Sequence, residues 1–82
     1  MATLRGGLLL RHEQAIGVVD GINKQYTTSF VFIAGTIRVY LNGLEQFKPD
    51  DYTEIDTTTI EFSFPPVGGA DPDRITVSYQ RA

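Results

Sequence analysis

The side chains that could carry out acid–base chemistry are few, and the first to consider is the single histidine, His12, next to Glu13. An imidazole beside a carboxylate is a common general-base pair, but catalysis needs both groups held on a rigid frame. Gly6 and Gly7 come shortly before this pair, and no clear hydrophobic periodicity surrounds it. The sequence therefore predicts that His12 is a solvated or interface residue.

The serines and the acidic residues point to no reaction either. Ser29, Ser63 and Ser78 fall inside predicted strands, where neither a strained turn nor a neighbouring base would activate a nucleophile. Acidic and amide residues are typical of calcium loops and of ordinary turns alike, and the twelve-residue calcium-loop pattern is absent. They gather at Asp20 to Asn23, Asp50 to Asp56 and Asp71 to Asp73. We predict no catalytic residue, no metal, no cofactor and no enzymatic activity.

The length of the chain allows one domain, whose stability on its own is modest. A chain of 82 residues buries only about 60–65 % of the surface that its unfolded form exposes. It has no cysteine, so neither disulfides nor thiolate metal sites can add stability. Stability must then come from tight packing of its five Phe and four Tyr or from burial against other copies or partners. A homo-oligomer or a symmetric array is the predicted state.

Charge and hydropathy argue against two classes of partner. The net charge is −3 and the pI about 4.8, with lysines and arginines scattered singly, so nucleic acid is not a predicted partner. No apolar run approaches the roughly 20 residues that span a bilayer, so no membrane partner is predicted. Leu8 to Leu10 is too short for the apolar part of a secretion signal, about 7–15 residues. We expect the protein to be made in the cytoplasm.

A β-hairpin centred on Asn42-Gly43 is the clearest structural prediction. Asn-Gly between two alternating runs favours a two-residue type I′ turn, because both turn positions need a positive φ. This turn pairs Tyr40 with Glu45 and Arg38 with Phe47 on one face of the hairpin. It therefore places two aromatic and two charged side chains together.

From Gly17 onward the chain alternates with a period of two, which is the pattern of strands with one buried face. Roughly six short strands, spaced by about 8–12 residues, predict an all-β fold, a small antiparallel β-sandwich. Strands are predicted at 24–33, 36–41, 44–47, 59–64 and 75–80, and a further short strand is predicted to begin at Tyr52-Thr53, before a turn at 56–58. Their predicted core residues include Ile37, Val39, Leu41, Ile60, Phe62, Phe64, Ile75, Val77 and Tyr79. Residues 17–82 form the predicted domain.

Residues 1–16 are predicted to be an N-terminal arm. Gly6-Gly7 provides a flexible joint, and the segment from Leu8 to Ala15 is compatible with a short helix or with an extended chain. Its three leucines need an apolar environment, either in the core of the domain or on a neighbouring subunit. The candidate interface residues of the arm are Leu8, Leu9 and Leu10.

The hairpin face opposite the core supplies the other candidate interface residues. Tyrosine and arginine are enriched in protein interfaces, and aromatic rings also stack on sugars. Three interpretations remain open for this face: coverage within the domain, a protein interface, or a platform for sugar rings. The residues concerned are Arg38, Tyr40, Glu45 and Phe47.

The order of the turn and core motifs resembles that of a known class of module. The motifs are Gly17-Val18-Val19-Asp20-Gly21-Ile22-Asn23, Tyr26-Thr27, Val39-Tyr40-Leu41-Asn42-Gly43-Leu44, Asp51-Tyr52-Thr53, Ile60-Glu61-Phe62 and Ile75-Thr76-Val77-Ser78-Tyr79. Over about residues 17 to 80, this series resembles small β-sandwich modules in virion proteins of tailed bacteriophages. Such modules occur in tail fibres, neck and tail appendages, and head spikes or decorations.

The resemblance implies a structural or attachment role and brings no catalytic residue to this chain. The expected function is that of a non-enzymatic subunit of a virion, such as an appendage, a decoration or an adaptor. Its expected partners are other virion proteins, and its expected location is the virion. The alternative is a carbohydrate- or receptor-binding module that contacts a host glycan through Tyr40, Phe47 and loop acids.

Overall fold

The computed structural model describes residues 10–82, which form seven β-strands in two antiparallel sheets. The strands are β1 (Leu10–Gln14), β2 (Gln25–Thr27), β3 (Arg38–Leu41), β4 (Leu44–Gln46), β5 (Tyr52–Asp56), β6 (Thr59–Phe62) and β7 (Ile75–Gln80). One sheet has the order β1-β7-β3-β4 and the other has the order β2-β6-β5. The predicted all-β antiparallel fold is confirmed, and β1 is a strand in addition to the six predicted.

Side chains from both sheets fill a common core. The predicted alternation of β7 is confirmed, since Ile75, Val77 and Tyr79 are at most 2 % exposed. Tyr26, from the other sheet, is fully buried, and its ring packs edge-on against Phe62 at 5.7 Å between centroids. Apolar burial contributes about 25 cal/mol per Å², so this core is the main attraction between the two sheets. The buried hydrophobic residues are Tyr26, Phe32, Ile37, Val39, Tyr52, Ile60, Phe62, Ile75, Val77 and Tyr79.

The predicted inward position of Phe64 is wrong. β6 ends at Phe62, the chain bends at the next residues, and the Phe64 side chain is 82 % exposed. Ser63 still donates its backbone N–H to the carbonyl of Asp51. The two prolines that follow Phe64 cannot donate to a ladder, so the strand does not continue and its alternation stops with it.

The predicted long strand over 24–33 is also wrong, because β2 has only three residues. The backbone N–H of Ser29 donates to the carboxylate of Glu13 and not to a neighbouring strand. Phe32 then pairs with Arg81, just beyond β7. The segment therefore leaves the three-stranded sheet and crosses to the four-stranded one.

Part of the predicted N-terminal arm is a strand of the sandwich. Leu10–Gln14 pairs in regular antiparallel register with residues 76–80 of β7. Of the helix and the extended chain considered for this segment, the extended conformation is observed here. The chain then changes sheets, since Ile16 pairs with Thr27 of β2. Leu8 and Leu9 lie outside the described residues.

The predicted hairpin turn and its register are confirmed. Asn42 and Gly43 have φ values of 53° and 86°, and Tyr40 lies opposite Glu45. The Asn42 amide also anchors the turn to a distant loop: its Nδ2 donates to Asp73 Oδ1, and its Oδ1 accepts the backbone N–H of Arg74, both at 2.8 Å. Asn42 therefore combines a conformational role with a bridging role.

Replacing Asn42 by Ala is expected to lower the free energy of unfolding by about 2 kcal/mol, because it loses two hydrogen bonds and strains a positive φ. Asn42→Gly keeps the permitted φ and loses only the bridge, so we expect a cost of about 1 kcal/mol. Urea unfolding of both variants measures the two contributions. Equal stability of Asn42→Ala and the wild type would contradict this assignment.

Candidate interaction surface

The outer face of the four-stranded sheet carries rows of polar side chains. Because strand side chains alternate, this face is opposite the buried Val39, Val77 and Tyr79. The antiparallel registers align two rows across it, His12-Ser78-Arg38 and Gln14-Thr76-Tyr40-Glu45. Residues far apart in the sequence, from both termini and from the hairpin, thus share one surface.

A groove of about 510 Å³ opens on this face. Leu10 is 72 % exposed and gives an apolar wall, while Tyr40 is half-buried and Arg38 is exposed. The groove thus combines an apolar group, an aromatic ring and a guanidinium with several hydroxyls and an amide, which suits directional hydrogen bonding. Its lining residues are Leu10, Gly35, Thr36, Arg38, Tyr40, Ser78, Tyr79 and Gln80.

The structure brings together only some of the interface candidates named from the sequence. Leu10, Arg38 and Tyr40 meet around the groove. Glu45 lies beside Tyr40 in the ladder but does not line the groove. Phe47 lies beyond the end of β4 and is 62 % exposed. Leu8 and Leu9 belong to the part of the chain that the structure does not describe.

Glu13 holds β1 to the body of the sandwich, a role that the sequence analysis missed. Its side chain is only 8 % exposed and accepts hydrogen bonds from three groups. The donors are Arg11 Nε at 2.8 Å, the Ser29 backbone N–H at 2.7 Å and the Tyr79 hydroxyl at 3.0 Å. One carboxylate therefore connects β1, β7 and the segment that crosses between the sheets.

These contacts determine the ionisation of Glu13. Burial alone would raise its pKa, but hydrogen bonds from Ser29, Arg11 and Tyr79 outweigh that penalty and lower the pKa to about 2. The same carboxylate, together with burial, raises the pKa of the Tyr79 hydroxyl. Glu13 is therefore ionised in the folded protein at neutral pH, and its charge is matched by its donors.

The Phe30 ring, in the segment that crosses between the sheets, lies against two arginines. The Arg81 guanidinium lies 3.7 Å from the centroid of its ring, and the Arg11 guanidinium lies 5.4 Å away. A cation over an aromatic face is attracted by the ring quadrupole. The two arginines thus fix the crossing segment against β1 and the end of the chain.

A second exposed apolar group, here termed the end patch, was also missed by the sequence analysis. Its side chains are 64–82 % exposed and belong to two loops. The loops are held together by the Gly21 N–H, which donates to the Pro66 carbonyl, and by Gly68, which has no room for a Cβ beside the backbone of Val19. Only the tertiary contact of the loops brings these residues together. The end patch consists of Val18, Ile22, Phe64 and Val67.

The structure separates the acid–base pair that the sequence placed side by side. His12 is exposed on the outer face, whereas Glu13 is directed to the opposite face and is engaged by Arg11. Ser78 lies opposite His12 in the ladder. Among residues 10–82, no side chain orients the His12 imidazole by a hydrogen bond. The outer face therefore provides binding groups more readily than a proton-transfer pair.

Within residues 10–82, no group of three or more His, Cys, Asp or Glu side chains is placed to hold a metal ion. The same residues contain no helix of the length and apolarity needed to cross a bilayer. No protein-family model, no curated protein and no solved structure matches this chain.

Proposed function

We propose that this chain is a non-enzymatic assembly subunit that binds another protein through the outer face of its four-stranded sheet. The observation that carries the proposal is the groove that Leu10, Arg38 and Tyr40 line together. Arginine and tyrosine dominate the energetics of many protein interfaces, because each combines a large contact area with directional hydrogen bonds. The groove offers both next to an exposed leucine.

The proposed setting is the virion of a tailed bacteriophage, where the chain serves as a head or tail appendage, a decoration or an adaptor. This setting rests on the resemblance in the order and spacing of the turn motifs, and the chain would be made in the host cytoplasm. A small subunit gains attachment from repetition, since symmetry-related weak contacts raise the effective concentration. One shallow groove per copy is then sufficient.

The proposal is tested with particles purified from cells that carry the genome encoding this chain. We expect the wild-type chain to band with the particles, and Arg38→Glu to reduce its amount at least about tenfold through loss of a central contact. Lys24→Glu makes the same change in net charge away from the groove and is expected to keep particle binding. A wild-type chain that stays with the free proteins would contradict the assembly role.

The hydroxyl and amide groups of the groove favour carbohydrate binding as a second candidate. Ser78, Thr36 and Gln80 line the groove together with the half-buried Tyr40 ring, and polar groups in one groove with an aromatic ring suit a sugar. A glycan array probed with the wild type and with Tyr40→Ala distinguishes the two candidates. Binding to a defined glycan that Tyr40→Ala abolishes would support the carbohydrate-binding module. No glycan binding, together with particle attachment, would support the assembly subunit.

A further inference from the structure

The outer edge of β1 presents regular backbone that no strand covers among residues 10–82, since β1 ends the four-stranded sheet. The Ala15 N–H donates to the Ile75 carbonyl. In an antiparallel ladder, hydrogen-bonded and non-hydrogen-bonded pairs alternate, so Arg11 and Glu13 also direct their peptide groups to β7. The peptide groups of the residues between them are directed to the open edge. These residues are Leu10, His12 and Gln14.

The other sheet edges are less suited to pairing. β4 has only three residues, β5 carries an irregularity between Glu54 and Asp56, and β2 is already paired with Ile16. β1 has five residues in unbroken register with β7 and contains no proline. Short edge strands and bulges are two common protections against edge pairing. β1 has neither.

We infer that two copies of this chain pair through their β1 strands, antiparallel, about a two-fold axis at His12. Within residues 10–82, this register is the one that pairs all five residues of β1 with a second copy. It places His12 opposite its own counterpart and Leu10 opposite Gln14. The result is one continuous eight-stranded sheet, formed by two copies of the four-stranded sheet, and its two outer-face grooves lie on the same side.

Charge complementarity supports the same register. It places Arg11 of one copy opposite Glu13 of the other, and opposite charges across a strand pair are favourable. Within one chain, Glu13 takes only the Nε of Arg11, whose side chain remains 46 % exposed. A guanidinium has five donors, so those on its two Nη atoms stay available to the carboxylate of the second copy. A shift of the register would lose this match.

The absence of cysteine permits a direct test by cross-linking. In the inferred pairing, the two His12 Cα atoms are about 5.5 Å apart, within the range of a disulfide. Full-length His12→Cys is expected to form a disulfide-linked dimer under mild oxidation. Leu10→Cys is the matched control, because its Cα atom would lie about 14 Å from its counterpart. We expect at least about tenfold less cross-linking for this control.

A mixture of Leu10→Cys and Gln14→Cys should cross-link as the heterodimer, because the register places these residues opposite each other.

Light scattering should give the wild type twice the 9.1 kDa mass of one chain at high concentration. His12→Pro removes an N–H at the open edge. This variant should have the mass of a single chain at the same concentration and should keep its melting transition. Arg38→Glu should leave the mass of the dimer unchanged, so this test is independent of the groove. A monomeric wild type, or equal cross-linking by His12→Cys and Leu10→Cys, would overturn the inference.

Discussion

Replacing Tyr26 by Ala is expected to lower the free energy of unfolding by about 4 kcal/mol, most of the stability of a domain of this size. Tyr26 is fully buried and packs edge-on against Phe62. Its ring also covers Gly17, where a built Cβ would lie 2.5 Å from the ring edge. The substitution thus opens a cavity where the loop after β1 meets the three-stranded sheet. Urea unfolding followed by circular dichroism measures the loss.

Two further variants isolate the contribution of the ring. Tyr26→Phe removes only the hydroxyl, which donates to the Val18 carbonyl at 3.0 Å, and is expected to cost about 1 kcal/mol. Tyr40→Ala removes a ring of the same type from a half-buried position on the outer face, so we expect a clearly smaller loss than for Tyr26→Ala. Equal losses for the two alanine variants would show that the core is not where the structure places it.

The second large effect concerns Glu13 and depends on pH. The folded pKa of Glu13, about 2, lies below its ordinary value of 4.5. A lowered folded pKa means that the contribution to stability is complete above about pH 4.5 and is lost as the pH falls towards 2. We therefore expect the free energy of unfolding to fall by about 3 kcal/mol over this window because of Glu13. Unfolding curves recorded between pH 2 and pH 7 measure this loss.

Glu13→Gln separates this contribution from those of the other acids. At pH 7 we expect it to cost about 2 kcal/mol, because an amide oxygen accepts more weakly from Arg11 and Ser29 than a carboxylate. The variant should also show a shallower loss of stability below pH 4.5. Glu45→Gln, at an exposed position in β4, is the control and should keep the wild-type stability at pH 7. A Glu13→Gln variant with the wild-type pH dependence would contradict the role assigned to this carboxylate.

The parts of the fold that the sequence predicted well are those with local signals. Asn42-Gly43 requires positive φ at both positions, so it fixed the turn and the register between Tyr40 and Glu45. β7 buries every second residue, and its alternation is therefore visible without any knowledge of its neighbours. Both features depend on residues a few positions apart.

β1 could not be predicted in this way because it lacks an apolar face. Its outward side chains include the exposed Leu10 and His12, and its inward face carries the charged pair of Arg11 and Glu13. The Glu13 carboxylate is satisfied by the Tyr79 hydroxyl, 66 residues further along the chain. A polar strand held by distant partners has no periodicity that distinguishes it from a mobile arm.

Only part of the candidate surface could be predicted, again because contacts between distant residues leave no local signal in the sequence. The hairpin signal brought Arg38, Tyr40 and Glu45 to one face, as the structure shows. The groove itself needs Leu10 and Gln80 from opposite ends of the chain, and only the pairing of β1 with β7 unites them. Local patterns thus indicated the chemistry of the surface, while its shape depends on long-range strand pairing.

The proposed groove and the inferred dimer both require β1 to be a fixed strand of the sheet, so amide hydrogen exchange in β1 is the most direct test. In dilute protein, the amides of Glu13 and Ala15 should be protected to a degree comparable with that of Ser78, whose amide is directed to β3. The amide of His12 should exchange fast, because it faces the open edge. Fast exchange throughout Leu10–Gln14, with the amides of Thr76 and Ser78 still protected by β3, would show that β1 is detached. Both proposals would then lose their structural basis.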